Sequence, residues 1–188
     1  YYLHFNNNLK IRVYKSKDLS TWKDEGYSFI AKTDFWGQQD FWAPDVYEYE
    51  GRYYLQYAAP GTQYRIYGDG IYVGDNPLGP FEYMEDNPFS FKPGGFIGGA
   101  GHGHTFQDKY GNYWHVASMT ISVRHSFERR LGLFPVAISA RNGMYAHTAW
   151  SDYPFYIPNR KVDFDKTDLS MGSVSYTHLR AHETDSYL

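Results

Sequence analysis

One pattern recurs along this chain and constrains its fold more than any other feature: a β-hairpin built around an aromatic pair. It runs whole as Asp45-Val-Tyr-Glu-Tyr-Glu-Gly51-Arg-Tyr53-Tyr54-Leu55-Gln-Tyr57. It returns as His104-Thr-Phe-Gln-Asp-Lys-Tyr-Gly111-Asn-Tyr113-Trp114-His-Val-Ala, and its second half opens the chain as Tyr1-Tyr2-Leu3-His4-Phe5. A second echo pairs Ile11-Arg-Val-Tyr-Lys-Ser16-Lys-Asp18-Leu19-Ser-Thr-Trp22 with Gly70-Ile71-Tyr-Val-Gly-Asp75-Asn-Pro77-Leu78-Gly-Pro-Phe81. Gly51 and Gly111, like Leu19 and Leu78, stand about 60 positions apart. Two echoes with one offset, in one order, describe a repeated strand-rich unit of about one four-stranded blade. The expected fold class is all-β: part of a β-propeller of about two and a half antiparallel blades.

Residues 1–30 read as the end of one blade, 40–83 as a complete blade and 104–150 as another. Pro44 stands just before a strand, where its missing N–H costs little. Asn76-Pro77-Leu-Gly79-Pro80 is turn chemistry. The stretch 84–100, with Pro93-Gly94-Gly95 and Gly98-Gly99-Ala-Gly101, reads as a long loop. A turn is expected at Asn142-Gly143 and a strand near Met144–Thr148.

The bulk properties exclude several classes. The net charge is −3 and no basic run occurs, which argues against nucleic acid and anionic membrane as partners. There is no Cys, so disulfides and thiolate metal sites are excluded. No apolar run is long enough for a membrane-spanning helix. The 20 Tyr suit half-buried strands, and exposed aromatic faces also suit sugar rings.

The string Phe41-Trp42-Ala43-Pro44-Asp45-Val46 resembles glycoside hydrolase family 43. So do Ser16-Lys17-Asp18-Leu19-Ser-Thr-Trp22, Gly51-Arg-Tyr-Tyr-Leu55 and Pro77-Leu-Gly-Pro-Phe81, in that family's order. The resemblance spans about residues 1–155 and implies a five-bladed propeller whose inner strands bring carboxylates around one sugar ring. It implies hydrolysis of terminal arabinofuranoside, xyloside or galactoside bonds of plant polysaccharides, with inversion. Inversion takes an acid and a base about 6.5–9.5 Å apart, and the family adds a third carboxylate that tunes the acid. Motif match puts Asp45 on that third role, with the acid itself as the alternative; a cap after Pro44 is the bland reading.

Gly99-Ala-Gly101-His102-Gly103-His104-Thr105 resembles the family's Gly-His-x-Ser stretch. His102 matches a His that contacts substrate, or a central cation through water; His104 replaces the more usual Ser. Glu128-Arg129-Arg130-Leu131 resembles an Arg-bearing strand whose Arg reaches sugar or acid. Arg129 and Arg130 alternate faces, so one of them points to the axis, and Arg129 is favoured; the other reading is an ion pair with Glu128. Trp42 and Trp114 are candidates to stack on sugar, or core. No cofactor is expected beyond a possible axial calcium at His102.

The family pattern is incomplete here. Its general base belongs to an innermost strand upstream of Tyr1, and no Glu-Gly-Pro-like run supplies the acid. The chain is therefore expected to be a piece of a longer secreted or periplasmic bacterial protein, nearly inactive alone. A noncatalytic carbohydrate-binding propeller is the alternative. Residues 156–172 read as a linker. Residues 173–188, from Ser173-Val-Ser-Tyr-Thr-His-Leu-Arg-Ala-His-Glu-Thr184 onward, resemble a translated sequencing adapter and are expected to be disordered.

Overall fold

The computed structural model describes residues 1–32, 35–37, 41–60, 66–85, 87–94, 97–121, 124–125, 128–139, 143–152 and 155–164. The expected tail at 173–188, and 165–172 of the expected linker, lie outside the described residues. Three antiparallel sheets follow one another along the chain, as the repeat implies. The first holds β1 (Tyr2–Asn6), β2 (Lys10–Lys15) and β3 (Lys23–Ile30). The second holds β4 (Trp42–Tyr49), β5 (Arg52–Pro60), β6 (Tyr67–Gly74) and β7 (Glu82–Tyr83). The third holds β8 (Gly98–Gln107), β9 (Tyr113–Thr120), β10 (Arg129–Ser139) and β11 (Gly143–Ala146), followed by a 3₁₀ turn, Thr148–Asp152.

The strands of each sheet pair in chain order, the blade pattern of a propeller. The described residues thus form two four-stranded blades and three strands of another. The hairpin between β4 and β5 turns on Glu50 and Gly51, both at positive φ (49° and 80°). That is the geometry a tight two-residue turn needs to match strand twist, and it explains the Gly at this point of the repeat. The corresponding β8–β9 turn is longer. Its Asp108 carboxylate accepts the N–H groups of Tyr110 and Asn112 and the indole N–H of Trp114.

The core lies between sheets. Ile11 and Phe29 of the first sheet meet Leu55, Tyr57 and Tyr72 of the second and Phe41 just before β4. Phe41 stacks on Tyr57 with ring centroids 4.0 Å apart. Tyr54, Ile71 and Val73 of the second sheet meet Val136 and Met144 of the third, with Phe89 between. Each such side chain contributes about 1.5–3 kcal/mol by leaving water. Alternation along β4 serves both interfaces. Val46 packs on the first of these clusters, whereas Tyr47 and Tyr49 reach Tyr113 of β9 edge-on at 5.9 and 5.3 Å.

The region expected as a loop through residue 100 is ordered differently. β8 starts at Gly98, so the glycine run is strand. Its glycines allow close approach: a Cβ on Gly101 would sit 2.7 Å from the Gly68 nitrogen of the neighbouring sheet. Bridges Asp69–Ser90 and Lys92–Gly99 fasten the preceding segment. Residues 155–164 run along the third sheet. Asn112 Nδ2 donates to Arg160 O, Val162 N donates to Asn112 Oδ1, and Phe164 is buried against Trp114.

Candidate active site

Asp45 belongs to β4, the first strand of its sheet, and follows a break in the ladder. Pairing runs Trp42–Ala58 and then Asp45–Gln56, with an irregularity between. Ala43 sits at φ 46° and Pro44 offers no N–H, so Trp-Ala-Pro builds a bulge that re-aims the next side chain. Pro44 therefore lies inside the strand, at a bulge on an edge strand, where its missing N–H is tolerated.

β8 is bulged at the matching place. Its register breaks between Gly99 and Gly101 and again between Gly101 and His104. Ala100 and His102 take φ of 78° and 56°. From these two bulged strands Asp45 and His104 meet: His104 Nδ1 lies 2.9 Å from Asp45 Oδ2. The Asp45 side chain is 27% exposed and that of His104 58%, so the pair is open to a ligand. Asp45 also joins the wall of a cleft of about 350 Å³ between β1 and β4, with Tyr2, His4, Pro44 and Glu48. Glu48, the other carboxylate of that wall, accepts the Gly51 N–H and so serves the hairpin turn.

The other expected residues separate into near and far. His102 is exposed on the β8 bulge, and its backbone N–H donates to Asp69. Trp42 is half-buried, edge-on to Tyr67 at 5.4 Å. The Arg129 guanidinium lies over the other part of this group, 4.4 Å from the Tyr67 ring centroid. Arg130 takes the second alternative: it donates to Glu128 at 3.1 Å and to Arg129 O. Trp114 takes the core alternative. Its ring is 2% exposed, packed by Phe155 and Phe164 with its N–H on Asp108, so it is core and out of reach of a sugar.

Tyr67 and Asp69 were not among the sequence candidates. The glycines that flank Asp69 in Tyr67-Gly-Asp-Gly70 are the signal for them, since they mark close approach of another strand. A directly held cation does not fit the described residues. Among them no three His, Cys, Asp or Glu side chains group to hold a metal, and both Asp69 oxygens receive N–H donors. The metal role expected of His102 rests on the resemblance alone.

The model of glycosyl hydrolases family 43 matches residues 1–63, which include Asp45 and its Trp-Ala-Pro lead. A solved endo-arabinase from Bacteroides thetaiotaomicron is 42% identical, over 77% of this chain and 57% of that one, with a TM-score of 0.53. The chain is glycoside hydrolase family 43-like. An endo-1,4-beta-xylanase structure from the same organism is 26% identical over 77% of this family 43-like chain and 53% of its own, with a TM-score of 0.64. A xylan beta-1,4-xylosidase from Bacillus halodurans shares the fold at 16% identity, covering 82% of this chain and 32% of that one, with a TM-score of 0.60. The chain thus spans about half the length of the first two structures it matches. None of the curated proteins matches it.

Proposed function

We propose that this family 43-like chain is part of a glycosidase that hydrolyses terminal arabinofuranoside, xyloside or galactoside bonds of plant polysaccharides, with inversion at the anomeric carbon. The observation that carries the reading is the Asp45–His104 pair, joined at 2.9 Å from bulged strands of adjoining blades. The endo-arabinase likeness favours arabinose-containing polymers among the three.

In this reading Asp45 is a carboxylate at the sugar, and the imidazole of His104 fixes its rotamer. A carboxylate there raises the pKa of a neighbouring acid, because like charges disfavour ionisation. It can equally accept a sugar hydroxyl. Trp42 and Tyr67 offer aromatic faces nearby, and Arg129, held on Tyr67, offers a cation. The acid and base of an inverting pair stand about 6.5–9.5 Å apart across the bond that breaks. The protein works outside the cytoplasm, on oligo- or polysaccharide.

One sequence observation favours a second reading, a carbohydrate-binding propeller without turnover: no Glu-Gly-Pro-like run supplies the acid. Assays of the whole protein on aryl arabinofuranoside and xyloside separate the two. The glycosidase reading expects Asp45→Asn to lower turnover by about 10²–10⁴. Unchanged turnover removes Asp45 from the chemistry, and sugar binding without any turnover selects the second reading.

A further inference from the structure

The bulge at His102 and Gly103, just before His104, leaves two backbone N–H groups outside the β8–β9 ladder. Pairing runs Gly101–Ser118 and resumes at His104–Val116, so β8 spends one residue more than its partner. Buried N–H groups need acceptors. Those of His102 and Gly103 are taken by one carboxylate on another blade: His102 N–H donates to Asp69 Oδ1 at 2.8 Å and Gly103 N–H to Asp69 Oδ2 at 2.9 Å.

Asp69 is 1% exposed, and a buried carboxylate persists only when it is well paired. A line of equally buried groups completes the pairing. Gln56 Nε2 donates to Thr105 Oγ1 at 2.7 Å. Thr105 Oγ1 then has its own proton for His115 Nδ1, 3.1 Å away. That leaves the His115 proton on Nε2, where it donates to Asp69 Oδ2 at 3.0 Å. The line starts beside the site as well, because Gln56 is the residue paired with Asp45 across β4 and β5. Space enforces the arrangement: a Cβ on Gly103 would meet His115 Nε2 at 2.3 Å.

We propose that Asp69 is a positioning residue of the candidate active site. By capturing the His102 and Gly103 N–H groups, with His115 behind it, it sets the β8 bulge that turns His104 onto Asp45. Its value to catalysis rests on the glycosidase reading; its geometry does not. An interblade carboxylate is a better clamp than a ladder bond here. Charge-assisted hydrogen bonds are stronger than neutral ones, and this clamp ties the two site-bearing blades to each other.

The test is made on the 188-residue chain by NMR, with Asp45→Ala as the reference for an unpaired His104 ring. In Asp69→Asn the His102 and Gly103 amides are expected to exchange roughly tenfold to a hundredfold faster. The proton–nitrogen correlations of the His104 ring are expected to move to the Asp45→Ala pattern, while Trp114 and Met144 core signals stay. A His104 ring that keeps its wild-type pattern in folded Asp69→Asn overturns the proposal. If Asp69→Asn does not fold, Gly103→Ala, which displaces His115 from the β8 side, is read in the same way: a moved ring supports the proposal and an unmoved ring overturns it. These signals need no substrate, so a failed sugar or turnover assay counts against the glycosidase reading and leaves this one standing.

Discussion

Asp45 and His104, 59 positions apart, occupy the same place in two successive repeats and touch each other at 2.9 Å. The contact follows from the architecture. Repeated sheets that pack face to face bring equivalent ends of their first strands together, so side chains from one repeat position become neighbours in space.

Loss of this pair is expected to affect function far more than stability. An exposed ion or hydrogen-bonded pair contributes about 0–1 kcal/mol. Asp45→Asn and His104→Ala should therefore each shift unfolding by less than about 1 kcal/mol. Denaturant melts of both variants and the double variant check this. A loss of several kcal/mol would make the pair a structural clasp.

Trp114→Ala is expected to do the opposite. Removing a buried aromatic side chain costs about 3–5 kcal/mol, and here the Asp108 hydrogen bond goes with it. Sugar affinity per folded molecule should stay unchanged. Binding that falls while the fold holds would return Trp114 to the site.

Much of this was legible in the sequence, for identifiable reasons. The aromatic pairs and Gly51 and Gly111 located the hairpins, because tight turns and pleated strands leave strong local signals. Trp-Ala-Pro announced that Asp45 is specially placed. The choice between His102 and His104 was not legible. Strict alternation puts both on one face, but His102 stands in the β8 bulge and His104 just past it, which gives Asp45 to His104. Trp114 and Trp42 look alike in sequence; the packing of residues 155–164 buries the first. Asp69 was hidden because its partners stand 33 and 34 positions away on another blade.

His4 gives the chain an acid-sensitive joint. Burial holds its imidazole down at about 4, and its Nε2 is buried without a hydrogen-bond partner. An unfolded His titrates near 6.5, so the unfolded chain binds the proton first. Stability from this group is complete above about pH 6.5 and is lost as pH falls through about 4, by on the order of 2 kcal/mol. Melting across that range should show the loss, and His4→Gln should flatten it. An identical slope in the variant would clear His4.

Asp108 acts over a lower range. Burial alone would raise its carboxyl, but the N–H donors of Trp114, Asn112 and Tyr110 outweigh burial and hold it down at about 2. Its contribution is present above the ordinary value of 3.8 and disappears as pH falls through about 2. Asp108→Asn should be less stable at neutral pH and lose less on acidification. Acid melts of the two proteins measure the difference.

The most direct test of the site is a titration of the chain with arabino- and xylo-oligosaccharides, followed residue by residue in NMR spectra. Shifts centred on Trp42, Asp45, Tyr67 and His104 are expected, with the outer strands β3 and β7 silent. Shifts centred on Asp108 and Trp114, or on the outer strands, would contradict the placement of the site between the bulges of β4 and β8.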